Sequence, residues 1–343
     1  MSRSRAVLGA LRSRVRRLRP RGGILMYHCV CVQRCDPWAI CVSPKAFADH
    51  MEVLAAARAA VGLDAFADDR AYTTDGAHLA VTFDDGYADN LTAALPILER
   101  FEIPATIFVV GNAVGRTREF WWDAVQRAIL DPPALPAELR WTFGDAPRRF
   151  IVDDTPDDAA RLEGWRADAA PPVTARQTLF RTLWDAIVLL EPAAQDDAVD
   201  ALLQWSGAPV QPPVAARLPV TADQLAELAA HPLINLGSHT LDHVSLTNAD
   251  PSRQHAQITG GHRRVEELRG GPADHFAYPF GRLDASARDI VRDSGIDVGC
   301  TSVSLPATVG DDRHALPRLH ATEMDGDEFA RWLHDDHHLL RNR

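Results

Sequence analysis

The sequence predicts an α/β fold, a parallel sheet or barrel carrying a mainly helical insertion. Two patterns lead there. Short apolar strands alternate with amphipathic helices over residues 23–118 and again over 214–325, as a parallel α/β sheet requires. Over residues 119–213 that alternation stops, and proline-flanked helical stretches and one hairpin pattern take its place. A third observation places the chemistry. In Thr82-Phe83-Asp84-Asp85-Gly86 two adjacent carboxylates stand where the apolar run Leu79-Ala80-Val81 gives way to a glycine. Strand ends of that kind are where α/β sheets keep their functional groups.

The elements follow in order. Residues 1–22 are a basic arm in which Arg3, Arg5, Arg12, Arg14, Arg16, Arg17, Arg19 and Arg21 surround Val7, Leu8, Leu11, Val15 and Leu18 at helical spacing. Two readings of it stand side by side: an amphipathic helix lying on an anionic membrane, and a helix solvated or docked on the fold. Gly23 to His28 reads as a buried strand, Asp36-Pro37-Trp38 as a turn, and Ser43-Pro44 as the cap of a helix running to about Arg58. Strand 79–83 carries the aspartate pair. A helix from about Asn90 to Arg100 and a strand from Pro104 to Val110 follow.

In the insertion, Phe120-Trp121-Trp122 begins a helix, and Arg140 to Val152 reads as a β-hairpin turning at Gly144-Asp145. Leu179, Phe180, Leu183, Trp184, Ile187 and Val188 fit one helical stripe. Trp121 and Trp122 serve either as insertion core or as a wall for a sugar ring, whose apolar faces suit aromatic side chains. The barrel pattern resumes with a helix over Leu225–Ala230 and the strand Ile234 to Gly237. A strand and turn over His275–Gly281, a helix over 285–294, a strand over 298–301 and a last short strand within His314–Ala321 complete it. Residues 326–343 read as a terminal helix whose histidines, His334, His337 and His338, lie at the surface.

A chain of 343 residues that is 46% hydrophobic can bury a full core. The net charge of −11 leaves no basic excess to meet phosphates, which argues against a general nucleic-acid binder. No stretch approaches a transmembrane length, and Ala6 to Leu11 is too short for a signal-peptide core. The expected location is therefore cytoplasmic, with residues 1–21 as the contact if the protein sits on the inner membrane face. Cysteine number is odd, and four of the five (Cys29, Cys31, Cys35 and Cys41, apart from Cys300) cluster. A disulfide framework does not suit so large a chain without an export signal. The spacing C-x-C-x3-C-x5-C also lacks the paired C-x2-C of common zinc modules, which weighs against a structural zinc.

Neighbouring carboxylates repel each other, so a fold that sets both at one strand end has a use for them, such as a metal or a proton. Asp-Asp-Gly is also ordinary turn chemistry, and alone it decides nothing. The decisive partner lies downstream, in Ser238-His239-Thr240-Leu241-Asp242-His243. With Ser238 as N-cap, His239 and His243 would lie four apart on one helical face and could meet one metal. A pair of surface histidines is the alternative, and the Asp-Asp-Gly elsewhere in the chain weighs against it.

Together Thr-Phe-Asp-Asp-Gly, Ser-His-Thr-x-x-His and Tyr-Pro-Phe-Gly resemble the NodB-type polysaccharide deacetylases, carbohydrate esterase family 4. The resemblance covers about residues 23–117 and 220–320. It implies a distorted (β/α)7 barrel and metal-dependent removal of acetyl groups, usually from N-acetylhexosamine units, so the implied partner is an N-acetylated sugar or glycan. Carried over residue by residue, Asp85, His239 and His243 match the metal ligands and Asp84 the general base. The Phe280 backbone N–H matches the oxyanion donor, and Tyr278 falls beside it as a substrate contact. The arginine that pairs with the base in the family falls here on Ala277; Arg318, after Leu316-Pro317, is the candidate replacement. Leu25-Met26-Tyr27-His28 resembles the permuted poly-N-acetylglucosamine deacetylases, in which this strand comes first. That implies His28 as general acid, with His320 as the alternative. One carboxylate and two imidazoles leave a divalent cation with open positions; zinc suits the mixed donor set, though nickel, cobalt or manganese could occupy it. An O-acetyl esterase or a deformylase acting on a lipid-linked amino sugar would use the same residues. A catalytically silent carbohydrate-binding protein on this fold is the reading from another class.

Overall fold

Strand β1, Pro20–Tyr27, runs parallel to β4, His78–Phe83, with Leu25 opposite Val81 and Met26 opposite Thr82. β4 pairs in parallel with β5, Ala105–Val109, and β5 with β8, Ile234–Ser238. β8 meets β9, His275–Ala277, which meets β10, Val298–Cys300. On the other edge of β1 lies β12, Leu319–His320, also parallel. Cys300 at the end of β10 bridges Leu316, just ahead of β12. Among the described residues, seven parallel strands thus curl into a barrel whose seam is one bridge. The short β11, Ala307–Thr308, pairs antiparallel with the start of β1. This computed structural model describes residues 20–68, 78–143, 146–152, 161–209, 215–308 and 310–340. The basic arm up to residue 19 and the Gly144-Asp145 turn lie outside them.

The strands are buried on both faces, and their period of two sorts side chains between two layers. Leu25, Leu79, Val81, Ile107 and Leu236 face an outer layer. Three helices cover it through Phe47, Leu98 and Leu225: α1, Pro44–Ala57; α3, Leu95–Phe101; and α7, Ala222–Ala230. Each such side chain removed from water contributes about 1.5–3 kcal/mol. Ile24, Ala80, Phe108, Ala277 and Cys300 fill the inner layer, closed at one end by Phe66 of the short α2, Leu63–Ala67. Gly237 admits the Phe108 ring there; a Cβ at that position would stand 2.7 Å from it. Side chains just ahead of the first turn cap two of the covering helices: Ser43 accepts from the Ala46 N–H, and Thr221 forms a capping box with Gln224.

After β1 a loop leads from β2, Cys29–Val30, to β3, Cys41–Val42. The insertion comprises α4, Trp121–Ile129, the antiparallel pair β6, Glu138–Phe143, and β7, Ala146–Ile151, then α5, Ala175–Ile187, and α6, Pro192–Ser206. Its core of Val125, Ile129, Phe180, Leu183 and Leu202 is continuous with Cys29, Cys35 and Cys41, so the insertion packs on the loop at the barrel mouth. Between β8 and β9 runs α8, Pro251–Arg269, the longest helix described. The sequence pattern had not suggested it, because it is strongly polar and contains Gly260-Gly261. Helix α9, Ala285–Asp293, follows β9, and α10, Gly326–Arg331, continues as a single wide turn over Trp332–Asp336. That terminal segment buries Phe329, Leu333 and Leu339 in the outer layer. No helix among the described residues is long and apolar enough to cross a membrane.

Candidate active site

Ala80 and Thr82 point into the barrel, and Asp84 continues their alternation one step past the end of β4. Asp85 would then point out. Instead it takes a left-handed conformation, φ 72°, and Gly86 follows at φ 75°. That turn brings both carboxylates to one cavity of about 300 Å³ at the barrel mouth. Arg318, fully buried, meets Asp84 with a two-pronged contact: Nη1 to Oδ1 and Nη2 to Oδ2, each 2.6 Å. Its Nε donates to the Thr301 carbonyl at 2.8 Å, which holds the guanidinium plane. Burial pushes the Asp84 carboxyl up, but the Arg318 and His239 charges outweigh it and hold the group well below the usual carboxylate range. Asp84 is therefore an ionised, oriented acceptor in a site that excludes most water.

His239 and His243 also reach this cavity, but not from a helix. Ser238 ends β8 instead of capping a helix, and the histidines sit on a tight loop in which Thr240 (φ 65°) and His243 (φ 55°) are left-handed. The expectation of a helical His-x3-His pair is thus corrected. Thr240 and the N–H groups around it bond to neighbours rather than along a helix. The Gly111 N–H donates to the Thr240 carbonyl, and the Thr240 hydroxyl accepts from the His243 N–H. Helix α8 holds the loop from outside: Gln257 bonds the Leu241 N–H, the Asp242 N–H and the Asp242 carboxylate. Gly261 of the same helix allows that approach, since a Cβ there would lie 2.3 Å from the Thr240 carbonyl carbon. Neither Gln257 nor Gly261 was marked by any sequence motif.

The donor atoms fit a divalent cation. His239 Nδ1–H donates to the Ala277 carbonyl at 2.7 Å, which leaves Nε2 as the free donor. Nε2 of His239 and of His243 lie 3.4 and 3.3 Å from Asp85 Oδ1. Ligands bound tetrahedrally at roughly 2.0–2.1 Å stand about 3.3–3.4 Å apart. Asp85 Oδ1 is moreover buried with no hydrogen-bond donor, an arrangement that costs free energy unless something cationic sits beside it.

His28 and His320 both line the cavity, their rings 6.0 Å apart, and His28 Nε2 stands 3.9 Å from Asp84 Oδ2. Burial pushes the His320 imidazole down to about 4. Phe280 lines the cavity in a left-handed conformation, φ 57°. Trp122 forms part of the wall, 4.5 Å from the His243 ring and stacked on Phe120. It is held by a buried chain: its Nε1 donates to the Tyr87 hydroxyl, which donates to Asp123, which pairs with Arg217. Two anticipated substrate contacts do not reach the cavity. Trp121 packs inside the insertion against Trp184, and Tyr278 is buried with its hydroxyl on the His314 carbonyl. In their place Trp38, Ile40, Asp168, Trp184 and Arg282 line it. Trp38 and Trp184, 4.5 Å apart, join from the loop after β1 and from the insertion; the sequence set Trp38 in a turn and Trp184 in a helical stripe and marked neither as a substrate contact.

Comparison with known proteins bears on the fold that carries this site. A family model described as polysaccharide deacetylase matches residues 71–134 and 200–299. Those two stretches carry a polysaccharide deacetylase domain of the NodB type. The two matched stretches hold Asp84, Asp85, His239, His243 and Phe280 and skip most of the insertion; His28, Arg318 and His320 lie outside them. A Bacillus subtilis protein described as a polysaccharide deacetylase, YxkH, is 24% identical over 115 residues, which is 33% of this chain and 41% of that protein. The chain therefore matches less than half the length of this relative. Among solved structures, IcaB from Ammonifex degensii superposes with a TM-score of 0.56 at 18% identity, covering 92% of this chain and 97% of that one. The Streptococcus pyogenes deacetylase PplD, solved with acetate, gives 0.51 at 15% identity, covering 94% and 100%. At these identities the likeness is one of fold.

Proposed function

We propose that this chain is a metal-dependent hydrolase that removes acetyl groups from N-acetylated amino sugars. One observation carries the reading. A buried carboxylate kept ionised by a two-pronged arginine, Asp84 with Arg318, opens onto the same cavity as the Asp85-His239-His243 donor set. When bound, a divalent cation, with zinc favoured by the donor set, would supply Lewis acidity for the water and for the acetyl carbonyl. The chain's own groups handle the protons. Asp84 accepts one from the water as its oxygen adds to the acetyl carbon. The Phe280 N–H would donate to the carbonyl oxygen as negative charge grows there. His28 donates a proton to the amide nitrogen as the C–N bond breaks, leaving a free amine and acetate. His28 suits that role better than His320, because burial of the His320 ring disfavours the imidazolium that would give up the proton. The walls formed by Trp38, Trp122 and Trp184 suit the apolar faces of a pyranose.

The test is acetate release from a panel of N-acetylated oligosaccharides, polysaccharides and polyprenyl-linked sugars, with and without chelator. Chelation should abolish release. Asp84→Asn should also abolish it while metal content stays at the wild-type level. Full turnover by Asp84→Asn would sink the assignment, and a product with a new hydroxyl instead of a new amine would make the enzyme an O-acetyl esterase.

A further inference from the structure

Among the described residues, one other cluster of metal-binding groups stands out beyond the catalytic cavity. β2 and β3 pair in parallel with Cys29 directly opposite Cys41. Cys31 lies two residues beyond Cys29, the spacing that returns a side chain to the same side of an extended chain. The three Sγ atoms lie within 4.8 Å of one another. Cys29 and Cys41 are buried, whereas Cys31 is partly exposed and gives solvent a way in. All three thiols are free.

We propose that Cys29, Cys31 and Cys41 form a second metal site, a three-thiolate cradle that takes Zn2+ and braces the wall of the catalytic cavity. Thiolates bind zinc at about 2.3 Å, so around one ion they stand about 3.8 Å apart; the cradle needs to tighten by at most about 1 Å. The loop between its ligands is already ordered for this. Asp36 accepts from the Ile40 and Cys41 N–H groups, and Gln126 of α4 donates to the Cys35 carbonyl. Charge also favours it. The buried Arg217 contributes a positive charge nearby and offsets part of the excess negative charge that three thiolates leave on a divalent ion. Binding releases the thiol protons. A softer donor set than Asp85-His239-His243 keeps the two sites distinct, since thiolates prefer soft cations. The ion would sit beside the residue that follows His28 and would clamp the loop carrying Trp38 and Ile40 to the catalytic cavity.

The test uses the full chain, reduced, with Asp85→Asn and His239→Ala present so that the first site is disabled. Titration with Cd2+ should give one ion per chain and an ultraviolet thiolate-to-cadmium band, and Zn2+ should compete it away. Adding Cys31→Ser should abolish the band and lower affinity at least tenfold, with circular dichroism reporting that the fold persists. Cys31 is the ligand whose replacement disturbs packing least, and the cadmium band of the protein with its cysteines intact reads the site without any cysteine variant. Reduced protein whose five thiols all titrate after denaturation, yet which gives no cadmium–thiolate band when folded, would overturn the proposal.

Discussion

Replacing Arg318 by glutamine isolates what the buried pair does. Asp84 is 2% exposed and Arg318 is 0% exposed, so neither charge has water to fall back on. Arg318→Gln removes two charge-assisted bonds of 2.6 Å and also strips the Thr301 carbonyl of its donor. Removing one partner of a buried pair costs about 3–5 kcal/mol, because the other charge stays buried without compensation. That loss should appear in urea unfolding of chelated protein near pH 7. The pH dependence tells this from a mere packing defect. In the native pair the Asp84 value lies below its unfolded value of about 3.9. Its stabilisation is then complete above about pH 4 and is lost only as pH falls through the depressed folded value. In the variant burial acts with less opposition, and the carboxyl titrates above its unfolded value. The stability gap should therefore be widest at neutral pH and narrow on acidification, as protonation relieves the buried charge. In acetate-release assays kcat should fall by about 10²–10⁴, the usual worth of a general base, and the acidic limb of kcat/KM should move to higher pH. Arg318→Lys should recover part of the stability but little of kcat, since an ammonium lacks the planar fork. An Arg318→Gln enzyme with the wild-type acidic limb and an unchanged unfolding midpoint would refute the argument.

Two further outcomes follow from groups remote from the chemistry. Gly261→Ala sets a methyl 2.3 Å from the Thr240 carbonyl carbon, so α8 or the histidine loop must shift; a loss of about 1–3 kcal/mol in unfolding should accompany at least tenfold weaker Zn2+ binding, and unchanged affinity would show that α8 does not set the loop. His50, buried between the Tyr27 hydroxyl and the Met324 carbonyl and stacked on Phe329, is pushed down by burial to about 4. Between about pH 6.5 and 4 the unfolded chain binds a proton there that the folded chain refuses, so stability falls with pH across that window, by up to about 3 kcal/mol. Urea titrations at pH 7 and 4.5 should show a shallower fall for His50→Gln than for the wild type, and equal slopes would assign the acid sensitivity to other groups.

The barrel was legible because its strands are apolar runs with capped helices between them, and both signals are local. Arg318 was legible for a different reason. With Ala277 in the place of the family arginine, the aspartate still needed a cation, and few arginines sit in an apolar strand context. Helix α8 was not legible, because its core-facing positions are thinly apolar and its glycine pair reads as a break. Its function explains the pair: Gly261 exists for contact with Thr240, a requirement of tertiary structure that leaves no periodic trace. Trp38, Trp184 and Asp168 were hidden likewise. They come from a loop and an insertion that meet only once both have packed around the cysteine-rich segment. Tyr278 errs in the opposite direction, since its motif placed it correctly in the chain while alternation along β9 and the following turn sends its ring into the neighbouring core.

The misread histidine loop carries the more general lesson. Among the described residues, non-glycine residues with positive φ include Asp85, Thr240, His243 and Phe280, and all four belong to the site. Arg58 and Glu102, by contrast, merely end helices. Left-handed backbone costs an ordinary side chain of order 1 kcal/mol or more, so four such positions together are not a local preference of these segments. Something must impose them, and the visible restraints are outside the loops: the barrel strands, the Gln257 bonds and the close approach at Gly261. Glycine would remove the strain at each position, but at Asp85 and His243 it would also remove the carboxylate or the imidazole. Function therefore fixes the residue type, and the surrounding fold supplies the conformation. A reading that infers backbone shape from residue preference must fail there, and His239-x3-His243 failed in that way, as a helix where the chain makes a strained turn.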